Sequence, residues 1–398
     1  MAKSNIMFNI DRTGTGANMA GLRIGICGGG VGGLCAGIAL QKLGHDVAIF
    51  EQTARFGRVG ADINLTPNAV HALDGLGVGA DARVTAARPT HRISRTWDTG
   101  EETSRLPLSA AAEERYGAPQ LTMHRADLLA LLTDRLGPDV IHFASKVAGL
   151  VRTDAGATIR FADGTSRDCD VVIGADGIHS VVRHALFGAD DPTFTGLVSH
   201  RGVFPRERAG DLPNLDAFTK WWGPSPEYQI VTFPLTRGEE IFVFSTTPRT
   251  DWTEEGWTIP GDLEALRAAY RDFHPEARGL LSALDEVTSS ALHVREPLAH
   301  WSDGPVTLLG DAAHPMVPFM AQGACMAIED AIVLARSLDG VGPDGVTAAL
   351  VAYERTRMTR TAEIQRSSLA NEWLKSKTNA DWVYGYHAWD VALERSAA

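Results

Sequence analysis

One stretch constrains the fold more than any other: LRIGICGGGVGGLCAGIALQKLGHDVAIFE, from Leu22 to Glu51. Ile24 and Ile26 lead into Gly28, Gly30 and Gly33. A helical run through Ala36, Leu40 and Leu43 follows, and then a second apolar strand from Val47 to Phe50. This is a strand–helix–strand unit whose first turn suits a dinucleotide. Gly28 permits the tight turn, Gly30 lets backbone approach a pyrophosphate, and Gly33 lets helix and strand pack closely. Unpaired N–H groups at the helix start then face the phosphates. Glu51 stands at the second strand's end, about twenty residues on, where a carboxylate accepts the hydroxyls of an adenosine ribose. A carboxylate there disfavours a 2'-phosphate, which leaves FAD or NAD, and the fingerprint does not choose between them.

With 398 residues, 44% of them hydrophobic, the chain can bury one large core or two smaller ones. A net charge of −12 gives no bulk electrostatic case for nucleic acid. Cys27, Cys35, Cys169 and Cys325 lie in apolar or glycine-rich settings without C-x-x-C pairs, as core residues in a reducing compartment would, and this places the chain in the cytoplasm. No apolar run reaches membrane-spanning length. No metal-ligand spacing stands out among the 13 histidines.

Along the chain, residues 1–21 read as a disordered leader or tag. Residues 22–85 form the first part of the nucleotide-binding domain, 86–120 an excursion into a second domain with a hairpin over 93–106, and 121–195 a return. Thr66-Pro67-Asn68 opens a helix, and another begins after His124. Alternating strands follow, with Asp163-Gly164 as a hairpin turn. The buried strand Asp170–Gly174 ends in Gly-Ala-Asp-Gly, just before a helix starting near Ser180. Residues 196–300 carry strands at spacings that suit a mostly antiparallel sheet, with one helix over 262–273. A third entry, 301–343, has Val306–Leu309, then Gly310-Asp311, a proline-rich loop and a helix opened near Gly323. A C-terminal helical region, 344–398, carries an aromatic tail expected to cover core. The fold class is therefore α/β: a Rossmann-like domain interleaved with a mostly antiparallel sheet domain, plus C-terminal helices.

Three motifs stand in fixed order: GGGVGG with Glu51, VVIGADGIHSVVR, and LLGDAAHPMVPFMAQGACMAIEDA. Together they resemble the single-component FAD-dependent aromatic hydroxylases of the para-hydroxybenzoate hydroxylase type. Within them the chain looks nearest to 6-hydroxynicotinate 3-monooxygenases and salicylate hydroxylases, sharing HRADL, Lys220-Trp221-Trp222, HPMVP and WVYGY with the former. The resemblance implies FAD as cofactor, NADH, less readily NADPH, as a transient reductant, O2 as co-substrate and a small aromatic substrate, in a monomer or homodimer. Gly28, Gly30, Gly33 and Glu51 would hold the adenosine and pyrophosphate, with Arg58, Arg125, Asp176 and Asp311 along the rest of the cofactor. Pro318 and the backbone of Gln322, Gly323 and Ala324 would face the isoalloxazine. Asp176 and Asp311 also suit helix caps, and His314 reads better as a structural residue than as an acid or base.

The implied chemistry inserts oxygen from a flavin C4a-hydroperoxide into an electron-rich ring, ortho or para to a hydroxy or amino group, with decarboxylation if attack falls on a carboxylated carbon. A base or proton relay is expected. His200, Tyr228 and Pro318 are the catalytic candidates. Asn64, Arg201, Gln229, Val231, Phe233 and Phe319 are the pocket candidates. At Asn64, Glu227, Val231 and Phe319 the resemblance leads one to expect histidine, histidine, tyrosine and histidine, so 6-hydroxynicotinate is a poor match and a hydroxy- or aminobenzoate a better one. Two other readings stay open, a flavin oxidase or reductase without oxygen insertion and a flavin-dependent halogenase. For the latter only half of W-x-W-x-I-P is present, at Trp257-Thr258-Ile259-Pro260 with Glu255 in the first tryptophan's place.

Overall fold

The apolar residues of the fingerprint fold as expected because they have no polar side to show water. The strand Arg23–Cys27 pairs in parallel with Asp46–Phe50 on one side and Val171–Gly174 on the other, with Ile26 level with both Ile49 and Ile173. All three isoleucines are fully buried, as a strand covered on both faces requires. Val306–Leu308 extends the sheet in parallel beyond Val171–Gly174, and Ser302–Asp303 closes that edge antiparallel. Ile141–His142 forms the other edge. Five of the six strands are thus parallel, and the chain enters the sheet in three separate passages. The computed structural model describes residues 21–57, 62–153, 156–254, 256, 259–373, 375 and 379–395.

A second sheet has eight strands, in the order Ile259–Pro260, Thr288–Val294, Thr193–Pro205, Glu240–Pro248, Gln229–Leu235, Phe218–Trp222, His91–Thr96 and Glu102–Pro107. Only the Phe218–Trp222 and His91–Thr96 pair is parallel. The hairpin at 91–107 is therefore an edge of this sheet. One face packs Phe204, Trp221, Ile230 and Val243 under the helices Leu263–Ala269 and Pro275–Ser282. The other packs Phe218, Phe233, Phe242 and Phe244 against Val317 and Phe319 from the proline-rich loop. A sheet covered on both sides has no clean alternation of polar and apolar residues, which bears on the site below.

Local differences from the sequence reading have simple causes. The helix expected over 262–273 is the shorter Leu263–Ala269, and the sequence reading missed a second helix after it, Pro275–Ser282, which has a proline at its first turn. The strand Ser166–Cys169 was missed because only Cys169 in it is buried. The long helix runs Val346–Ala370 and ends at Asn371, whose φ of 51° is left-handed. Beyond it, Trp373, Val383, Tyr384 and Ala388 are buried in the first core, so the aromatic tail covers core. All four cysteines are free and buried. No helix among the described residues is long and apolar enough to cross a membrane.

Candidate active site

The phosphate turn is shaped by close approach. Gly28 has φ +108°, and a Cβ on Gly33 would lie 2.1 Å from the Gly28 carbonyl oxygen, so strand end and helix start touch backbone to backbone. Gly30 differs. It is the extended N-cap of the helix Val31–Lys42 (φ −72°, ψ 179°), and a Cβ there would meet no heavy atom within 4 Å. Its open side is the cradle in front of the helix N-terminus. Glu51 is fixed beside it, one carboxylate oxygen accepting from Gly29 N at 2.9 Å and the other from Thr53 N at 2.8 Å.

The third passage supplies a second helix start. After Val306–Leu308 the chain makes a tight turn at Gly310–Ala312 and another at Pro318–Met320, passes Ala321 in the left-handed region (φ 56°), and enters the helix Gly323–Leu338. That helix has no side-chain cap. The Gln322 side chain is engaged elsewhere, donating to Thr66 Oγ1 at 2.8 Å and accepting from Asn68 Nδ2 at 3.2 Å. The first N–H groups of Gly323 and Ala324 thus keep their positive field for a ligand. Asp311, beside Gly323, takes no hydrogen bond from its side chain among the described residues. Asp311 is exposed at the crevice, yet the protein around it raises its carboxyl by desolvation, opposed by His314 and Arg125. Arg125, first residue of the helix Arg125–Thr133, is exposed. Arg58 lies outside the described residues, as do Glu255, Trp257 and Thr258.

Under the proline-rich loop lies a buried charge network that sequence reasoning did not find. Arg357 donates to Asp330 Oδ1 from Nε and reaches Glu329 Oε2 from Nη1, both at 2.7 Å, and all three side chains are fully buried. Asp330 also accepts from Gly310 N at 3.1 Å and meets His314 Nε2 at 2.6 Å. Glu329 accepts from Arg360 and, at 2.7 Å, from Asn68. Burial alone would raise both carboxyls, but Arg360 and Arg357 hold Glu329 low, and His314 and Arg357 hold Asp330 low. His314 is therefore a fixture of the loop. Asp176 is a cap: it accepts from Ser180 Oγ at 2.5 Å and Val181 N at 2.7 Å at the start of the helix Val181–Phe187.

On the eight-stranded sheet, the face toward Phe319 presents one cross-strand row of Cα partners: Lys220, Val231, Phe244 and Arg201. A lysine and an arginine thus flank an apolar pair across three strand spacings, about 14 Å. Arg201 donates to Ser290 Oγ at 2.7 Å and lies 5.6 Å from the Phe244 ring centroid. Asp62 is near Arg201, and burial pushes its carboxyl up to about 6 despite Arg201 and Arg125. Phe233 is stacked on Phe218 at 5.1 Å as core. Gln229 is buried, its amide 3.4 Å from Thr246 Oγ1. Asn64 lies on the short strand Ile63–Leu65 and accepts from Gln120 at 2.9 Å, while its Nδ2 is buried without a partner among the described residues. A cavity of about 160 Å³ opens beside Leu197, Glu227, Val317, Phe319 and Asn371. Pro318 is exposed.

Two expected catalytic residues are not brought there. His200 sits level with Ser245 and Ser289, and Ser245 with Ile230, which places it on the opposite face of the sheet from Arg201. Its ring nitrogens meet Ser289 Oγ and Thr247 Oγ1, both at 2.8 Å. Burial pushes the imidazole down to about 4, with Arg249 and Arg201 adding to the effect. Tyr228 packs edge-on against Tyr270 on that far side, centroids 5.9 Å apart. Neither can reach a ring held against Val231 and Phe244.

The open Gly30 cradle, the placed Glu51, the unengaged Asp311 and the uncapped helix start at Gly323 fit a long dinucleotide running from one helix N-terminus to the other. The family described as FAD binding domain matches residues 22–368. The chain is 37% identical over 372 residues to a 6-hydroxynicotinate 3-monooxygenase of Bordetella bronchiseptica, covering 93% of this chain and 97% of that protein. It is 38% identical over 347 residues to a 3-amino-4-hydroxybenzoate 2-monooxygenase of Streptomyces platensis, covering 87% and 86%. Among solved structures, Klebsiella pneumoniae HpxO complexed with FAD and uric acid superposes with a TM-score of 0.77 at 28% identity, over 90% of each chain.

Proposed function

Since the chain belongs to the FAD-dependent aromatic monooxygenases, we propose that its substrate is a hydroxy- or aminobenzoate, hydroxylated ortho or para to the donor group, with NADH as the reductant. Bound FAD supplies the redox and oxygen-activating chemistry, and the protein's own residues do the rest. Gly28, Gly30 and Gly33 admit the pyrophosphate, Glu51 takes the ribose, and Asp311 with the N–H groups of Gly323 and Ala324 holds the flavin end. The helix N-terminus there favours negative charge on the reduced ring.

The observation that carries the substrate class is the cross-strand row on the sheet. In this reading a flat ring enters from the cavity beside Phe319 and lies toward Val231 and Phe244, where apolar walls exclude water and protect an electrophilic oxygen from wasteful decay. Arg201 closes one end with a guanidinium suited to a carboxylate. The same apolar positions, Val231 and Phe319, offer no polar partner to a hydroxypyridine, so 6-hydroxynicotinate binds with unmet hydrogen bonds. Attack at the carboxylated carbon would release carbon dioxide.

The test is a panel of hydroxy- and aminobenzoates, their carboxamides and 6-hydroxynicotinate, with NADH, read by mass spectrometry. Benzoates turn over, their carboxamides lose at least about tenfold in kcat/KM through the lost charge pairing, and 6-hydroxynicotinate is poor. Equal turnover of carboxamides, or a preference for 6-hydroxynicotinate, refutes the reading.

A further inference from the structure

The motif Lys220-Trp221-Trp222 places a lysine where a lysine is costly. Lys220 lies mid-strand in Phe218–Trp222 and is 3% exposed. Its Nζ donates to Asn371 Oδ1 at 2.6 Å, lies 3.7 Å from the Trp222 ring centroid and is 5.8 Å from that of Phe319. No carboxylate pairs with it among the described residues. Its charged neighbours are Arg92, from the adjacent strand, and Lys375, beyond Asn371, both cations. Arg201 stands at the far end of the row. Glu227 lines the cavity and is held low by Ser225. Burial, then Arg92 and Lys375, push the Lys220 ammonium well below the usual lysine range, which favours the neutral amine with its lone pair.

A purely structural role explains this poorly. If Lys220 only tied down Asn371, the cap of the long helix, an amide would do so without a buried cationic group. Asn371 and Phe319, two of the three residues that Lys220 Nζ meets, wall the 160 Å³ cavity. The amine therefore stands at the edge of the chamber, at the opposite end of the row from Arg201.

We propose that Lys220 is the base that takes the hydroxyl proton of the aromatic substrate. The inference rests on the substrate class given above. In the step, the substrate O–H bond breaks and its electron pair stays on oxygen. The Nζ lone pair forms the new N–H bond, giving a phenolate beside an ammonium. The phenolate pushes electron density to its ortho and para carbons, where the electrophilic oxygen arrives. The ammonium is held by Asn371 Oδ1 and the face of Trp222, and it returns the proton to the product oxygen. His200 and Tyr228, on the other face, cannot serve.

The experiment compares the wild-type FAD-loaded enzyme with K220M, which keeps the length of the side chain and removes the amine. A nitro-substituted hydroxybenzoate is bound one pH unit below the pKa of its free hydroxyl. The wild type shifts its absorbance to the phenolate form, and K220M leaves it as the phenol. In turnover, K220M loses on the order of 100-fold in kcat/KM for a hydroxybenzoate, and fluorinated analogues with more acidic hydroxyls recover most of that loss. Aminobenzoates, with no hydroxyl proton to remove, change less than about threefold. A phenolate spectrum retained in K220M, or a loss equal for all substrates and unaffected by fluorination, overturns the proposal. If K220M does not take up FAD, K220Q carries the same comparison. The absorbance readout needs no turnover, so an enzyme that ionises the probe but hydroxylates nothing would refute the proposed function and leave Lys220 as a base.

Discussion

Gly30 and Gly33 stand three residues apart in the same turn, and the structure gives them opposite jobs. A Cβ at Gly33 would sit 2.1 Å from the Gly28 carbonyl oxygen, about 0.9 Å inside the closest approach real Cβ atoms make, and the obstacle is backbone. G33A must therefore prise the helix Val31–Lys42 from the strand Arg23–Cys27, at about 3 kcal/mol or more. For a chain of 398 residues, 1 kcal/mol corresponds to roughly 1.2 °C in Tm, so the flavin-free protein loses about 4 °C. At Gly30 the added methyl meets nothing, and φ −72° with ψ 179° suits alanine. G30A leaves the flavin-free protein unchanged or more stable by about 0.4–1 kcal/mol, through a less flexible unfolded chain. Its methyl points into the space the pyrophosphate needs, and FAD affinity falls by about 2 kcal/mol, roughly 30-fold in Kd. Thermal melts of the deflavinated proteins and titration of flavin fluorescence separate the two effects. FAD affinity within twofold of wild type in G30A, or an unchanged flavin-free Tm in G33A, would refute the reasoning.

Removing the buried guanidinium with R357M strands the carboxylates of Glu329 and Asp330. It is expected to cost about 3–5 kcal/mol, or roughly 4–6 °C in Tm, and to lower flavin content because Asp330 also holds Gly310 and His314; an unchanged melt would contradict the network's role. His200 is held neutral down to about 4, whereas in the unfolded chain it takes up a proton near its ordinary 6.5. Its contribution is thus full above 6.5 and lost as pH falls toward 4, on the order of 2 kcal/mol between pH 7.5 and 5. Asp62, with its carboxyl raised to about 6, runs the other way across 4 to 6, so the measurement is the difference between wild type and H200Q in urea unfolding at the two pH values. Equal pH dependence in the two proteins would show that His200 titrates normally.

The parts of this molecule legible in its sequence are those whose physics is local. Gly28, Gly30, Gly33 and Glu51 lie within one strand–helix–strand unit, and their spacing alone demands the turn that the structure shows. The three passages through the parallel sheet were legible because each buried strand ends in glycine or aspartate before a helix. The sheet face was not. His200 and Arg201 were both expected in the pocket, although neighbours on a strand point to opposite faces. The pattern could not choose between them, since Val198 and Phe204 on one parity are as apolar as Leu197 and Val203 on the other, each face being covered. Glu329-Asp330 looks like a polar helix surface until Arg357, on the next helix, is placed against it. Likewise His71, His387 and Asp390 bring their ligand atoms within 4.8 Å of one another, and no spacing along the chain could have shown it.

The claim on which all of this depends is that the chain holds FAD so that one atom of oxygen is placed on an aromatic ring. The measurement is turnover of a hydroxybenzoate by the FAD-loaded enzyme with NADH under isotopically labelled oxygen gas, with the product's mass read directly. The account predicts one labelled oxygen atom on the ring for each product molecule, with NADH consumed in equal amount. Consumption of NADH that yields labelled hydrogen peroxide and an unaltered ring, for every hydroxy- and aminobenzoate offered, would contradict it.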